Sequence, residues 1–277
     1  MRKSIKIRSD KAMRYTAKQH TFVVCAYKES PFLRECVESL LKQEVCSKII
    51  IATGTPNEYI KSVADEYNIK LYINEGEGGI ANDWNFGYKV ADTPLVTIAH
   101  QDDVYKKNYL KDALNLVNGA RRPLIYFCNY SEMRNGEEIA NNKLLAIKRL
   151  MLFPLRIKAL QNRRFWKRRV LSLGNPVCCP SVLYVKDNLS YPVFSSGFRS
   201  DVDWEAWEKI SKLKGCFVYN RNIGMSHRIH GESETSATIK DDVRIKEDYV
   251  MFRKFWNKTI ADFLIRRYAK SEESNQV

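Results

Sequence analysis

Short apolar runs alternate along the first half of this chain with stretches whose apolar residues repeat at helical spacing. "TFVVCA" (21–26), "SKIIIA" (47–52), "IKLYI" (69–73), "LVTIA" (95–99) and "LIYFCN" (124–129) each have the length and β-branched content of a strand. Between them, Leu33, Cys36, Val37, Leu40 and Leu41 mark a helix, with Ser30 as its N-cap and Pro31 at its first position. A second helix carries Ile60, Val63, Ala64 and Tyr67 behind a Thr55/Glu58 capping box that encloses Pro56. Ile80, Trp84, Gly87, Tyr88 and Ala91 mark a third, and Leu110, Ala113, Leu114 and Val117 a fourth. Strands separated by helices must cross over right-handedly, which makes an α/β fold with a mostly parallel sheet covered on both faces. Ligands of such sheets bind beyond the carboxyl ends of the strands.

The fourth strand runs straight into "HQDD", so Asp102 and Asp103 fall at such an end. An acidic pair there either caps the next helix or sits solvated on a loop, or it holds a hard divalent cation such as Mg²⁺ or Mn²⁺. The spacing alone leaves both open.

The net charge of +14 over 277 residues favours a polyanionic partner: nucleic acid, anionic lipid or a phosphorylated substrate. No run reaches the roughly 20 apolar residues of a membrane span. The basic N-terminus has no apolar core or cleavage site, so it reads as a lead-in rather than a secretory signal. Seven irregularly spaced cysteines suit reduced thiols in a cytoplasmic protein.

Three stretches in order, "FVVCAYKESPFLRECVESLLKQ", "KIIIATGTP" and "INEGEGGIANDWNFGYKVADTPLVTIAHQDD", resemble a GT-A-fold glycosyltransferase of family 2. Ser39-Leu40-Leu41-Lys42-Gln43 matches that family's Ser-Leu-Leu-x-Gln helix end, and Gln101-Asp102-Asp103 its aspartate metal motif. Far downstream, "DVDWEAWEKISKLKGCFVYNRNIGMSHRIHGESET" (201–235) is similar to its acceptor-side segment. Trp204 and Trp207 fit the helix, "CFVY" the strand, and His227-Arg228-Ile229-His230 with Ser233 the closing element. The resemblance covers about residues 20–235.

This resemblance implies a Rossmann-like GT-A sheet with a C-terminal acceptor-side segment and helical extension. It also implies transfer, with inversion, from a nucleotide-diphospho-sugar (UDP by default) to a hydroxyl, assisted by Mn²⁺ or Mg²⁺. Asp203, just before Trp204, is the expected general base, with Asp201 and Glu205 as near rivals. Asp103 is the expected direct metal ligand. Asp102 would hold the metal through water or touch the ribose, and His230 or His227 would be a third ligand. Arg228 would face phosphate or brace the fold, and His100 would line the pocket.

Two departures bear on the donor. Where many relatives end the second strand in Asp-Asp, this chain reads Ala52-Thr53-Gly54-Thr55, and where they carry Ala-Arg-Asn it reads Asp83-Trp84-Asn85. Thr53, Glu75, Asp83 and Asn85 are therefore the candidate pocket residues, with Ala26 and Tyr27 holding the base through backbone atoms and ring stacking.

The expected organisation is a lead-in (1–20), a nucleotide-sugar half (21–130), an acceptor-side half (131–240) and a helical tail (241–277). Within the acceptor half, "KRLMLFPLRIKALQNRRFWKRRV" (148–170) interleaves nine Lys and Arg with apolar and aromatic residues and has no acid. Such a segment either lies in an anionic membrane interface, at the inner face of the cell membrane where a lipid-linked glycan acceptor would be met, or covers the core with its cations turned outward. Residues 251–270 have a similar composition. The rival reading is a basic nucleic-acid-binding α/β protein, but it leaves the aspartates and the His-Arg-Ile-His tail unexplained, so no nucleic-acid partner is expected. A nucleotidyl transferase would need a triphosphate-cradling loop that is not found. Zinc held by Cys178, Cys179, His227 and His230 is disfavoured by the adjacent cysteines.

Overall fold

The structure is a computed structural model, and it describes residues 15–230 and 243–273. The expected lead-in before Tyr15, and Ser233 of the closing element, lie outside the described residues.

The first half follows the alternation. β1 (His20–Ala26), α1 (Leu33–Leu41), β2 (Lys48–Thr53), α2 (Glu58–Glu66), β3 (Lys70–Ile73), α3 (Ile80–Val90) and β4 (Leu95–His100) come in that order. After them come β5 (Val104–Tyr105), α4 (Tyr109–Gly119), β6 (Pro123–Arg134), β7 (Glu137–Ile139), α5 (Lys143–Met151), α6 (Arg164–Val170), β8 (Leu183–Val185), α7 (Val202–Ser211) and β9 (Cys216–Ile229). Two helices close the described chain, α8 (Val243–Arg253) and α9 (Lys258–Glu273).

The sheet order is β3-β2-β1-β4-β8-β6-β9-β5, with β7 on β6. β3, β2, β1 and β4 are parallel, and so are β6 and β9, whereas β8 enters antiparallel between β4 and β6. The result is a GT-A-like α/β fold with a mixed, mostly parallel sheet.

β1 has no polar face because both its faces are covered. Phe22, Val24 and Ala26 pack with Leu33, Val37 and Leu40 of α1, while Val23 packs on the opposite side with Tyr88 of α3 and Trp204 and Trp207 of α7. A β-carbon on Gly87 would lie 2.8 Å from Val23 Cγ1, so only glycine lets α3 approach this closely.

Two expected caps are corrected. α1 begins at Leu33, not Pro31: Ser30 closes a preceding turn, accepting the Leu33 N–H on its carbonyl at 3.2 Å, and its hydroxyl goes to Asp102. The cap of α2 is Asn57, whose Oδ1 accepts from Ile60 N at 2.8 Å; Thr55 turns away to accept from Lys28 N. In each case a side chain near the strand ends has taken the partner that a helix cap would have used.

Candidate functional site

Four segments meet at the carboxyl ends of β1 and β4: the ends of those strands, the start of α3, the 175–180 loop with the start of α7, and the far end of β9. Together with Lys148 and Arg244 they enclose a cavity of about 480 Å³. Asp103 and Asp203 both line it, as do Ala26, Tyr27, Asp83, His100, Asp102, Asp201, His227 and Arg228.

Strand register creates the acidic end. β5 pairs with β9 so that Val104 faces Ser226, which sets His227 and Arg228 beside Asp103. Asp103 is 1% exposed, and its Oδ1 accepts from the Arg228 backbone N–H at 2.9 Å and lies 2.9 Å from His227 Nδ1. Burial alone would raise its pKa, but His227, with His100 and the Arg228 N–H, together outweigh burial and the carboxyl lies below its ordinary value. Burial likewise lowers His227, and Asp103 more than reverses it. The two form an ion pair. Asp103 Oδ2 is buried with no hydrogen-bond partner. Asp102 accepts from Ser30 Oγ at 2.7 Å and lies 3.2 Å from His230 Nε2.

The donor set suits a hard cation: an orphaned buried carboxylate oxygen, a second carboxylate next to it and two imidazoles. Among the described residues no three His, Cys, Asp or Glu side chains already form a metal cage. A cation that draws most of its ligands from a diphosphate and water needs none. The zinc alternative is not supported, since Cys178 and Cys179 are free thiols whose burial raises their pKa well above the ordinary value.

Arg228 is a brace. Its Nε donates to the Asp102 carbonyl at 2.9 Å and its Nη2 to Glu35 at 2.5 Å, and its guanidinium lies 4.2 Å from the centre of the Phe32 ring. His100 stacks on Trp84, which takes the place of the relatives' arginine, at 4.9 Å and 21°.

On the opposite wall, Asp203 lies in the first turn of α7 and accepts from Asn175 Nδ2 at 2.8 Å and Trp204 N at 2.7 Å. Burial raises its pKa above the ordinary carboxyl value. Asp201 also borders the cavity; burial, then Asp248 and Asp203, raise it well above normal. Glu205 is not on the cavity and pairs with Lys254 at 3.2 Å. Trp204 and Trp207 are fully buried and fix the helix.

The donor-side expectations divide. Asp83 reaches the cavity and explains the missing strand-end carboxylate: a β-carbon on Gly54 would lie 2.6 Å from Asp83 Oδ1, so a helix carboxylate occupies the space vacated on β2. Asn74 holds that oxygen at 2.8 Å. The Tyr27 backbone is already engaged: Gln101 accepts its N–H (3.0 Å) and donates to its carbonyl (2.9 Å). Only its ring, 48% exposed, faces outward. Ala26 is in register with Thr53 of β2. Thr53 is buried and accepts from Thr55 N, and Glu75 is exposed; neither lines the cavity. Asn85 clamps the 193–194 backbone, accepting from Val193 N and Phe194 N at 3.1 Å and donating to the Phe194 carbonyl at 2.8 Å. It borders a separate hollow on the other side of α3.

Three contributors were not among the expected site residues. Asn175 holds the Asp203 carboxylate. Glu247 of α8 pins the approach to α7 by accepting the backbone N–H groups of Arg199, Ser200 and Asp201 at 2.8, 2.8 and 3.0 Å. Lys148 donates to Tyr130 Oη at 2.8 Å.

A mixed α/β sheet with paired acids at its strand ends and a further acid across one cleft is the architecture of a GT-A protein. Residues 21–181 match the family described as "Glycosyl transferase family 2", and the chain belongs to that family. Among curated relatives it is 20% identical over 232 residues to an uncharacterised glycosyltransferase of Rickettsia prowazekii, covering 79% of this chain and 66% of that protein. It is 27% identical over 118 residues to the glycosyltransferase GlyG of Streptococcus pneumoniae, 40% of this chain and 39% of that protein. The chain thus spans about two thirds or less of these relatives' lengths.

Among solved structures, S. aureus TarS 1–349 in complex with UDP-GlcNAc aligns with a TM-score of 0.61 at 14% identity, over 89% of this chain and 70% of that one. The mannosyltransferase PcManGT from Pyrobaculum calidifontis, in complex with GDP-Man and Mn²⁺, aligns at 0.60 and 11% identity, over 91% and 69%. At such identities the likeness is one of fold.

Proposed function

We propose that this chain is an inverting glycosyltransferase that moves a sugar from a nucleotide-diphospho-sugar to a hydroxyl of a glycan acceptor. The observation that carries the reading is that Asp103 and Asp203 line one and the same cleft at the strand ends. UDP is the default donor nucleotide. The bound nucleotide sugars of TarS and PcManGT support the donor class.

In this reading Asp203 accepts the proton of the acceptor hydroxyl as its oxygen attacks the anomeric carbon. The bond from that carbon to the diphosphate oxygen breaks, and the nucleoside diphosphate leaves with the electron pair. The raised carboxyl makes Asp203 a stronger base than an exposed aspartate, and Asn175 and the Trp204 N–H fix its orientation. Asp103, with Asp102, the imidazole of His230 and, once it has lost its proton, that of His227, would hold Mn²⁺ or Mg²⁺, which supplies Lewis-acid neutralisation of the leaving diphosphate. Asp83 meets the base or ribose from α3, and the exposed Tyr27 ring offers a stacking face.

The same reading places the enzyme at the inner face of the membrane with a lipid-linked acceptor, in the synthesis of a surface polysaccharide. Of the nine cations in 148–170, Lys148, Arg149, Lys167 and Arg168 are turned inward onto Tyr130, the 130 and 140 carbonyls, the 213 and 215 carbonyls and Glu208. Arg156, Lys158, Arg163, Arg164 and Arg169 are exposed beside Leu150 (71% exposed), Phe153, Ile157 and Phe165 (59% exposed). At about 1 kcal/mol for each cation near an anionic leaflet, five give roughly 5 kcal/mol. Among the described residues no helix is long and apolar enough to cross a membrane.

The test is a screen of nucleotide-sugars with Mn²⁺, reading nucleoside diphosphate release. Release from at least one donor is expected. No turnover and no nucleotide binding across UDP-, GDP- and dTDP-sugars would contradict the proposal.

A further inference from the structure

We propose that Lys148, oriented by the Tyr130 hydroxyl, is the cation that binds the diphosphate of the nucleotide substrate. This rests on the donor class proposed above.

Lys148 comes from α5 and its side chain lines the cavity that holds the two aspartates. Tyr130, which orients it, packs edge-on against His227 with ring centres 6.2 Å apart, and the ammonium's charge reaches both His227 and Asp203. Among the described residues it forms no ion pair, and its one hydrogen bond goes to a neutral hydroxyl. Glu132, whose charge reaches it, is already held by Arg134 at 3.1 Å and Asn142 at 2.8 Å. Burial works against its charge; the Tyr130 oxygen that accepts from it, and Glu132 further off, work in its favour.

Buried charges are ordinarily paired, because desolvation without a counter-charge is costly. A cation left in this state inside a substrate cleft is completed by an anion that arrives with the substrate. Tyr130 takes one of the three ammonium protons, leaving two for phosphate oxygens.

Of the other positive groups on the cavity, Arg244 acts on Asp201 and Asp203, and Arg228 and Arg199 do not fill this role. Arg228 is committed to Glu35, the Asp102 carbonyl and the Phe32 ring. Position 84, where relatives carry an arginine, is a tryptophan stacked on His100. Arg199 is exposed at the rim. The leaving diphosphate therefore meets its inner cation from the insert rather than from α3.

The experiment is calorimetric titration of the full chain, with Mn²⁺ present, using UDP and GDP, their monophosphates and their nucleosides. The variants are Lys148→Met, Lys148→Arg and Tyr130→Phe. Lys148→Met should weaken diphosphate binding about tenfold to a hundredfold, the usual effect of removing a charged hydrogen-bond partner, and leave nucleoside binding unchanged. Tyr130→Phe should weaken it several-fold, and Lys148→Arg should retain more affinity than Lys148→Met. Unchanged diphosphate affinity in Lys148→Met, or an equal loss for nucleoside and diphosphate, overturns the assignment. Should Lys148→Met not fold, an unchanged diphosphate affinity in Tyr130→Phe decides against it. Failure of the parent chain to bind any diphosphate would instead strike at the donor reading itself.

Discussion

Asp103 and His227 are paired by strand register: one carboxylate oxygen lies 2.9 Å from the imidazole Nδ1, and the other is buried without a partner. The two residues are 124 positions apart, and the short β5–β9 ladder joins them. The pair holds one oxygen in place and leaves the other free to meet a cation.

Asp103→Asn keeps the shape and removes the charge. His227, whose side chain is 31% exposed, would then lose its counter-charge, so the protein should lose stability, at the scale of about 1–3 kcal/mol for removing one charged hydrogen-bond partner. Metal-dependent nucleotide binding should also fall at least tenfold. Thermal melts and calorimetry with and without Mn²⁺ check both; a variant equal to the parent in both measurements contradicts the arrangement.

Turnover should have an acid limb set by Asp203. Its folded pKa is raised by burial, and the base must be ionised to accept a proton. Activity therefore falls as pH drops through a value above that of an ordinary aspartate. Asn175→Ala removes a donor to the ionised carboxylate and should push the limb higher still. A pH profile of kcat/KM reads both, and an unshifted limb in Asn175→Ala rules out Asp203 as the titrating group.

Asp201 and Asp248 make a prediction about stability. Asp201 is raised well above normal by burial and then by Asp248 and Asp203. A group raised in the fold stabilises it below the unfolded pKa, and that contribution is lost as pH rises through the folded value. At neutral pH the pair thus works against folding. Asp248→Asn should raise the melting midpoint there by about 2–4 °C, the shift that about 1 kcal/mol produces in a chain of this size. The gain should shrink on acidification; a destabilised variant at neutral pH would contradict it.

Gly54 and Asp83 offer a test of donor recognition. An added methyl at Gly54 would meet Asp83 Oδ1 at 2.6 Å, and the carboxylate must swing away. Gly54→Ala should weaken nucleoside binding about tenfold, consistent with loss of one charged hydrogen bond, with little change in the melt. Equal affinity would show that Asp83 does not touch the nucleotide.

The exposed apolar residues of 148–170 should carry vesicle binding. Leu150→Asp with Phe165→Asp should abolish sedimentation with anionic vesicles and leave nucleotide binding intact, and salt should weaken the parent's attachment. Parent protein that does not sediment with anionic vesicles at low salt excludes the membrane contact.

The parallel half of the sheet was legible because apolar periodicity there is unbroken. β8 was not, since three residues, Leu183–Val185, give no period. The far halves of β6 and β9 were hidden by buried polar residues such as Asn129, Ser131, Glu132 and Ser226, whose partners lie across the sheet. Asp103 and Asp203, which line one cleft, and His227, which pairs with Asp103, stand where the order of motifs points. Asn85 and Thr53 were not separable from pocket residues by sequence, because a polar side chain that ties backbone looks the same as one that binds a ligand. Lys148 was readable only as one of nine cations in a basic stretch, and its inward direction depends on where α5 packs.

The most direct measurement compares Asp203→Asn with Asp103→Ala for donor binding and turnover of the same nucleotide-sugar. The account predicts that Asp203→Asn binds donor as the parent does while turnover falls by a factor of about 10²–10⁴, and that Asp103→Ala loses metal-dependent donor binding. Full turnover in Asp203→Asn, or undiminished metal-dependent binding in Asp103→Ala, would contradict it.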